Sequence, residues 1–536
     1  MAPSQRGPWH VRAPRSTRAE DEWGCNRSYE SLSTRPRKLT GLVMGLLKHL
    51  LLASTAGLLM IGGAYAADLP TKKTAPVPPP AKNCFGSFWD YMNSSAAECP
   101  LSYMGFTLYG TIDMGYGYES HGTAFNPVYP TGVEELISKN SQGGKWLLTP
   151  GGISQSNVGI KFSEAIPGAP DWSVVGNWQI GFDPYSMNLA NGPGSQAQNS
   201  DTKLPFQNSN GDSSRAGQWD NSLAYIGVSN KTFGTLTFGR EYSLTLDGVN
   251  AYDPMGGSYA FSPIGYSGKV PGAGSTEDTR PNSAFKYNVA INNFRLSGLV
   301  QVGGFEQGNG SNGEYEIGAG ADLYGFSFDA IYTYIKDQVS LSTFNGGIPA
   351  ADPANALKAT LSDNNSVMLL AKYTYGPLKL YGGYEYINYG NPSDAYPGGF
   401  TTIGNFTVPA GAAASTSFVK NEQFQVFWLG AKYSILSNLD GAVAWYHYDQ
   451  NDFDPTPSKN CGVNTVAPAP GYSPHGTLKS DCAGTLNAYS AMLDWKPLKR
   501  LDVYAGLMYS EVNGGMASGF LNTNNIDPTV GLRLQF

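Results

Sequence analysis

Apolar and polar residues alternate along most of this chain with a period of two, and the alternation comes in blocks. In one block Val158, Ile160 and Phe162 share a face while Asn157, Lys161 and Ser163 share the other. In the next, Trp172, Val174, Trp178, Ile180 and Phe182 oppose Asn177, Gln179 and Asp183. Successive side chains of a strand point to opposite faces, so each block predicts a strand that is apolar on one side only. Sixteen such strands are expected, near 103–118, 154–164, 172–183, 219–229, 233–242, 281–290, 293–303, 314–323, 325–336, 365–374, 377–389, 424–434, 438–449, 485–496, 499–511 and 528–536. The last carries Val530, Leu532, Leu534 and Phe536 on one face and stops at the terminal residue.

The connections alternate in length. Turns such as Asn230-Lys231-Thr232, Ile291-Asn292, Tyr324 and Gly376-Pro377 are short, whereas 119–153, 184–218, 243–280, 337–364, 390–423 and 450–484 are long and rich in Gly, Asn, Ser, Asp and Pro. A soluble sandwich has no reason to sort its loops by end. An even number of strands with sorted loops predicts an all-β fold, a transmembrane antiparallel β-barrel of 16 strands, with the short turns facing the periplasm. Composition agrees: 66 Gly, 33 Tyr and 24 Phe stand beside 14% charged residues and a mean hydropathy of −0.27. Beyond the N-terminal region no apolar run approaches the length of a membrane helix, so a membrane is crossed by strands whose backbone groups pair with one another.

The N-terminal region reads as an export signal. Arg35, Arg37, Lys38 and Lys48 precede the apolar run Leu50–Ile61, and Ala64-Tyr65-Ala66 offers the small residues that a signal peptidase reads. The expected organisation is a mis-assigned start or removed extension over 1–43, a signal peptide over 44–66, a Pro-rich linker with a cysteine loop over 67–102, and the barrel over 103–536. Without residues 1–66 the chain holds 26 Lys and Arg against 38 Asp and Glu, a formal charge of −12, which argues against a nucleic-acid partner. Four cysteines remain, in two couples local in sequence. In an exported chain these read as disulfides of Cys84 with Cys99 and Cys461 with Cys482, although four cysteines permit three connectivities.

Other patterns carry no chemistry. Gly308-Asn-Gly-Ser-Asn-Gly313 satisfies a nucleotide-binding pattern in letters, but no helix follows it to supply an N-terminus for phosphate. Asp449, Asp452 and Asp454 read as a solvated acidic loop before a calcium site. His121, His447 and His475 are scattered, neither cysteine couple has zinc spacing, and no catalytic set appears, so neither cofactor, metal nor enzyme activity is expected.

Several stretches resemble the trimeric general porins of Gram-negative outer membranes. They are Phe106-Thr-Leu-Tyr-Gly-Thr-Ile-Asp-Met-Gly115, Ser156-Asn-Val-Gly-Ile-Lys-Phe-Ser-Glu164, the run from Ser222 to Tyr242, Arg280-Pro-Asn-Ser-Ala-Phe-Lys-Tyr287 and the closing strand. The resemblance implies that the third long loop, about Ser243 to Thr279, folds into the lumen and narrows it. Asp253-Pro-Met-Gly-Gly257 is similar to the family's loop tip, which makes Asp253 the foremost acidic candidate, with Asp247, Glu277 and Asp278 beside it. Parity leaves Lys161, Lys286, Arg280 and Arg295 facing the lumen, with Lys372 and Lys379 farther round. Asn157 and Ser222 stand where the family often carries arginine, and Met255 where Glu is frequent, so the transverse field is expected to be weak. Strict alternation aims Arg240 outward, at a neighbouring subunit. Phe536 is the expected assembly signal for the barrel-assembly machinery, and lipids, lipopolysaccharide and two further copies of the chain are the expected partners. The implied function is passive diffusion of small hydrophilic solutes and ions across the outer membrane, with a mild cation preference from the acidic excess. A substrate-specific channel and an adhesin with a plugged barrel are the alternatives.

Overall fold

The computed structural model describes residues 84–536 except 122–143, 150, 183, 186, 188–221, 266–279, 282, 303–312, 343–357, 394–401, 404–405, 408–412, 416–417, 454–480 and 518–521. These described residues belong to one compact unit, Ala81–Phe536; the expected extension over 1–43, the expected signal peptide over 44–66 and the first part of the expected linker lie outside them.

Sixteen strands form the ring. They are β1 Phe106–Glu119, β2 Asn157–Ile166, β3 Ala169–Gly181, β4 Leu223–Asn230, β5 Gly234–Arg240, β6 Ala284–Ile291, β7 Phe294–Gln301, β8 Glu314–Leu323, β9 Phe326–Ser342, β10 Lys358–Tyr375, β11 Leu378–Gly390, β12 Glu422–Leu436, β13 Leu439–Gln450, β14 Gly484–Leu498, β15 Leu501–Gly514 and β16 Asn524–Gln535. Each pairs antiparallel with the next. The ring closes because β16 pairs back onto β1, with Gln535 opposite Thr111 and Thr529 opposite Gly117. Closure leaves no sheet edge among these strands, the condition for placing backbone in lipid. At the seam the Gly110 N–H donates to the terminal carboxyl of Phe536, and the Phe536 N–H donates to the Gly110 carbonyl, both at 3.0 Å. A Cβ on residue 110 would sit 2.4 Å from the Phe536 ring, so glycine is what lets the terminal aromatic close on the wall.

The strand boundaries differ from expectation where pairing outlasts the apolar pattern. β9 runs on to Ser342 and β10 begins at Lys358, because a backbone ladder needs no apolar face. β16 starts at Asn524, ahead of Pro528. The ladder to β1 stops at Thr529, so the missing proline N–H falls where no partner is lost. Tyr324 and Gly325, at φ +53° and +86°, make the two-residue turn between β8 and β9, and their paired positive φ matches the twist of the flanking strands.

The two faces of the wall differ as the alternation predicts. On β9, Phe326, Phe328 and Tyr332 are exposed while Ile331, Thr333 and Ile335 are buried. On β15, Leu507 is exposed while Asp502, Tyr504, Met508 and Ser510 are buried. The exposed apolar belt is the outer surface of the ring, and the alternate residues line its interior. Ahead of β1, the expected Cys84–Cys99 disulfide is present and closes a segment containing α1, Phe88–Met92. Cys482 is buried and disulfide-bonded, and Cys461 lies outside the described residues.

Candidate pore constriction

The long connection after β5 begins with α2, Leu244–Tyr252. Ser243 caps it, its Oγ accepting the Leu246 N–H at 3.1 Å, and Glu316 Oε2 on β8 accepts the Leu244 N–H, so two free donors of the first turn are satisfied. α2 packs on β7 to β11. Leu244, Val249 and Tyr252 share one buried cluster with Ile331, Met368 and Leu370, all inward residues of the wall. Tyr252 also donates to Asp329, which Arg295 holds at 3.0 Å, and the Lys372 ammonium lies over the Tyr252 ring at 5.1 Å.

The chain then runs on to β12, β13 and β15. Trp428 Nε1 on β12 donates to the Tyr252 carbonyl at 3.1 Å. Pro254 lies against Gly430, where a Cβ would come within 2.4 Å of it. Asp253 accepts the Tyr446 hydroxyl of β13 at 2.6 Å and the amides of Gly257 and Met255 at 2.7 and 3.2 Å. Farther on, the Ala260 N–H donates to the Gly152 carbonyl at 2.8 Å, and Phe261 packs edge-on against Tyr504 of β15. Residues 152–154 are themselves held by Asp113 of β1, which accepts the Ile153 and Ser154 amides at 3.1 and 2.8 Å and the Tyr504 hydroxyl at 2.6 Å.

The sequence-derived candidates divide accordingly. Asp247 forms an ion pair with Lys286 of β6 at 2.5 Å, and that ammonium also donates to the Tyr242 carbonyl at 2.7 Å. Asp253 is not on the open side: it is 3% exposed, and burial pushes its carboxyl up from the ordinary aspartate range. Its three donors make it the anchor of the loop turn. Lys161 extends over the Tyr109 ring at 5.4 Å, and the Tyr109 hydroxyl donates to Asn177 and Gln179 at 2.7 and 3.0 Å. Arg280 lies over Tyr242 at 5.4 Å and reaches Gln155. Asn157 opens β2 and donates to the Gln155 carbonyl at 2.9 Å, whereas Ser222 is buried. The ladder sets Arg240 opposite exposed Ala224, yet its guanidinium folds back and donates to the Arg280 carbonyl at 2.8 Å. Glu277 and Asp278 lie outside the described residues. Glu241, directly after β5, is buried, and burial pushes its carboxyl up to about 7 against the opposing pull of Thr237 and Lys286.

Asp113, Trp428, Tyr446 and Tyr504 were missed by the sequence reading. Each sits at an inward position of a wall otherwise expected to be polar and open. For the three aromatics the ring itself was the available signal, because a large aromatic at such a position needs something to cover it; Asp113 carried none.

The fold is shared with a solved porin. The anion-selective porin from Comamonas acidovorans superposes with a TM-score of 0.50 at 14% identity, over 80% of this chain and 99% of that one. OmpT of Vibrio cholerae gives a TM-score of 0.48 at 13% identity, over 82% and 99%. No curated protein matches the chain by sequence. The sequence model described as Gram-negative porin matches residues 93–515. This chain belongs to the Gram-negative porin family and is a channel-forming barrel of the bacterial outer membrane.

Proposed function

We propose that the barrel admits small hydrophilic solutes and ions by passive diffusion, and that the segment 243–265 lies in the lumen and narrows it. One observation carries the reading: the segment touches β7 to β11, then β12 and β13, then β15, each time at inward residues. A path that meets one wall after another on the inner side leaves the passage between itself and the wall of β1 to β5. Tyr109, Lys161, Asn177 and Gln179 line that wall, and Glu277 and Asp278 are proposed to join the narrowing from the loop's continuation. Charge selectivity there is weak. Asp247 is matched by Lys286 and Asp253 is buried, while Lys161 and Arg280 have no acidic partner among the described residues. The acidic excess therefore does not reside at the loop tip, and the cation preference is smaller than composition suggests.

The assembly is proposed to be a homotrimer, with Arg240 near its interface, lipid and lipopolysaccharide around the belt, and Phe536 read by the assembly machinery. Single-channel recording in planar bilayers tests the whole reading. Open steps in groups of three are expected, with a reversal potential near zero in a salt gradient that moves toward cations in Lys161→Ala. Folded, inserted protein that passes no current overturns it in favour of a plugged surface barrel.

A further inference from the structure

The segment ahead of β1 serves no evident purpose in conduction, and its helix lies before residue 93, where the family match begins. A five-residue helix does not hold itself together in water. This one is fastened at several points. The Cys84–Cys99 disulfide closes it, and Ser87 Oγ caps it by accepting the Asp90 N–H. Arg500, in the turn between β14 and β15, inserts its guanidinium among the carbonyls of Tyr91, Ser95 and Cys99 at 3.0, 3.2 and 2.6 Å and stacks on the Tyr91 ring at 3.9 Å. Glu98 pairs with Lys499 of the same turn at 2.7 Å.

What is held so firmly is an exposed aromatic surface. Phe85, Phe88 and Trp89 are 64%, 65% and 62% exposed, with Phe85 stacked on Tyr91 and Phe88 edge-on to Trp89. Asp90 is the acidic residue of the helix, and its carboxylate accepts the Ser87 hydroxyl at 2.8 Å. Ordered, uncovered aromatic surface marks a contact site. The chain path indicates with what. Directly after Cys99 and Pro100, the short strand Leu101–Tyr103 pairs with the start of β1, Tyr103 opposite Phe106 and Leu101 opposite Leu108. Opposite residues of an antiparallel pair point to the same face, so this strand continues the outer apolar belt. Tyr103, Met104 and Phe106 are all exposed there. Rings with an apolar body and a polar edge favour the boundary between hydrocarbon and water.

We infer that the disulfide-closed segment is an added membrane contact: Phe85, Phe88 and Trp89 dock into the interfacial layer of the lipid leaflet at the short-turn end of the barrel. The test uses the full mature protein in phosphatidylcholine vesicles whose acyl chains carry bromine at a shallow or a deep position, read by tryptophan fluorescence. Wild type and Trp89→Phe are compared, and the outward-facing Trp172 and Trp178 report barrel insertion in the same samples. The expected result is a component quenched by shallow bromine more than by deep bromine, and lost in Trp89→Phe. Phe85→Ser together with Phe88→Ser is expected to shift the Trp89 component toward quenching by aqueous iodide. If the component missing from Trp89→Phe in the parent protein is quenched by iodide and untouched by bromolipid, the face meets water or another protein, and the inference is overturned.

Discussion

At the scale of single residues, the environment of each carboxylate decides what it does, and sequence position alone does not reveal that environment. Asp247 and Asp253 lie six residues apart on one loop, yet one is spent on Lys286 and the other on Tyr446 and two amides. Glu241 has a different fate. It is buried, and its Oε1 has no hydrogen-bond partner among the described residues. Its folded value of about 7 lies above the ordinary 4.5, so the native state binds this proton more tightly than the unfolded state. The stabilisation is therefore gained as pH falls from about 7 toward 4.5 and lost as pH rises through about 7. Glu241→Gln, a permanent mimic of the protonated form, should be more heat-resistant than wild type at about pH 8 and indistinguishable from it at about pH 4. Denaturation of the detergent-solubilised protein at the two pH values checks this, and an advantage that is equal at both would refute it.

At the scale of elements, the described part of the loop, 243–265, is fixed at both ends by groups from distant strands. The near end rests on α2, whose apolar residues replace water over Ile331, Met368 and Leu370. The far end depends on a relay in which Asp113 and Tyr504 hold 152–154, and Gly152 holds Ala260. Asp113→Ala leaves the Ile153 and Ser154 amides and the Tyr504 hydroxyl without their acceptor, a loss of about 1–3 kcal/mol for each group left buried and unsatisfied. The expected outcome is a barrel that still assembles but shows noisier open-channel current and a higher mean conductance, because the far end of the loop is released. Quiet current at wild-type conductance would show that the α2 contacts hold the loop without the relay. Tyr504→Phe, which keeps the contact with Phe261 and removes the hydroxyl, should give a milder form of the same change.

At the scale of the whole molecule, stability depends on closing the ring, and the seam is where the first and last strands must find each other. Gly110 admits the Phe536 ring there. Gly110→Val forces a side chain into that space, and overpacking of this kind costs about 1–3 kcal/mol. The variant should assemble more slowly and denature at a lower temperature, as gel mobility before and after heating would show. Normal assembly would place the seam's tolerance elsewhere.

The strand count, the alternation of short and long loops, the outward face of strands such as β9 and β15 and the Cys84–Cys99 pairing were all legible in the sequence. Each depends on period-two alternation or on chain proximity, which are local properties. The porin character was legible too, through the motifs of β1, β2, β4 and β5. Only the tertiary structure decided the inner surface. Alternation places Trp428, Tyr446 and Tyr504 inward, and the resemblance puts Asp253 in the lumen, without saying whether water or protein meets them; alternation also aimed Arg240 outward although its long side chain reaches back to Arg280. The partners that settle these roles are far apart in the chain, Asp113 and Tyr504 by 391 residues and Asp253 and Tyr446 by 193, and only the folded barrel brings them together.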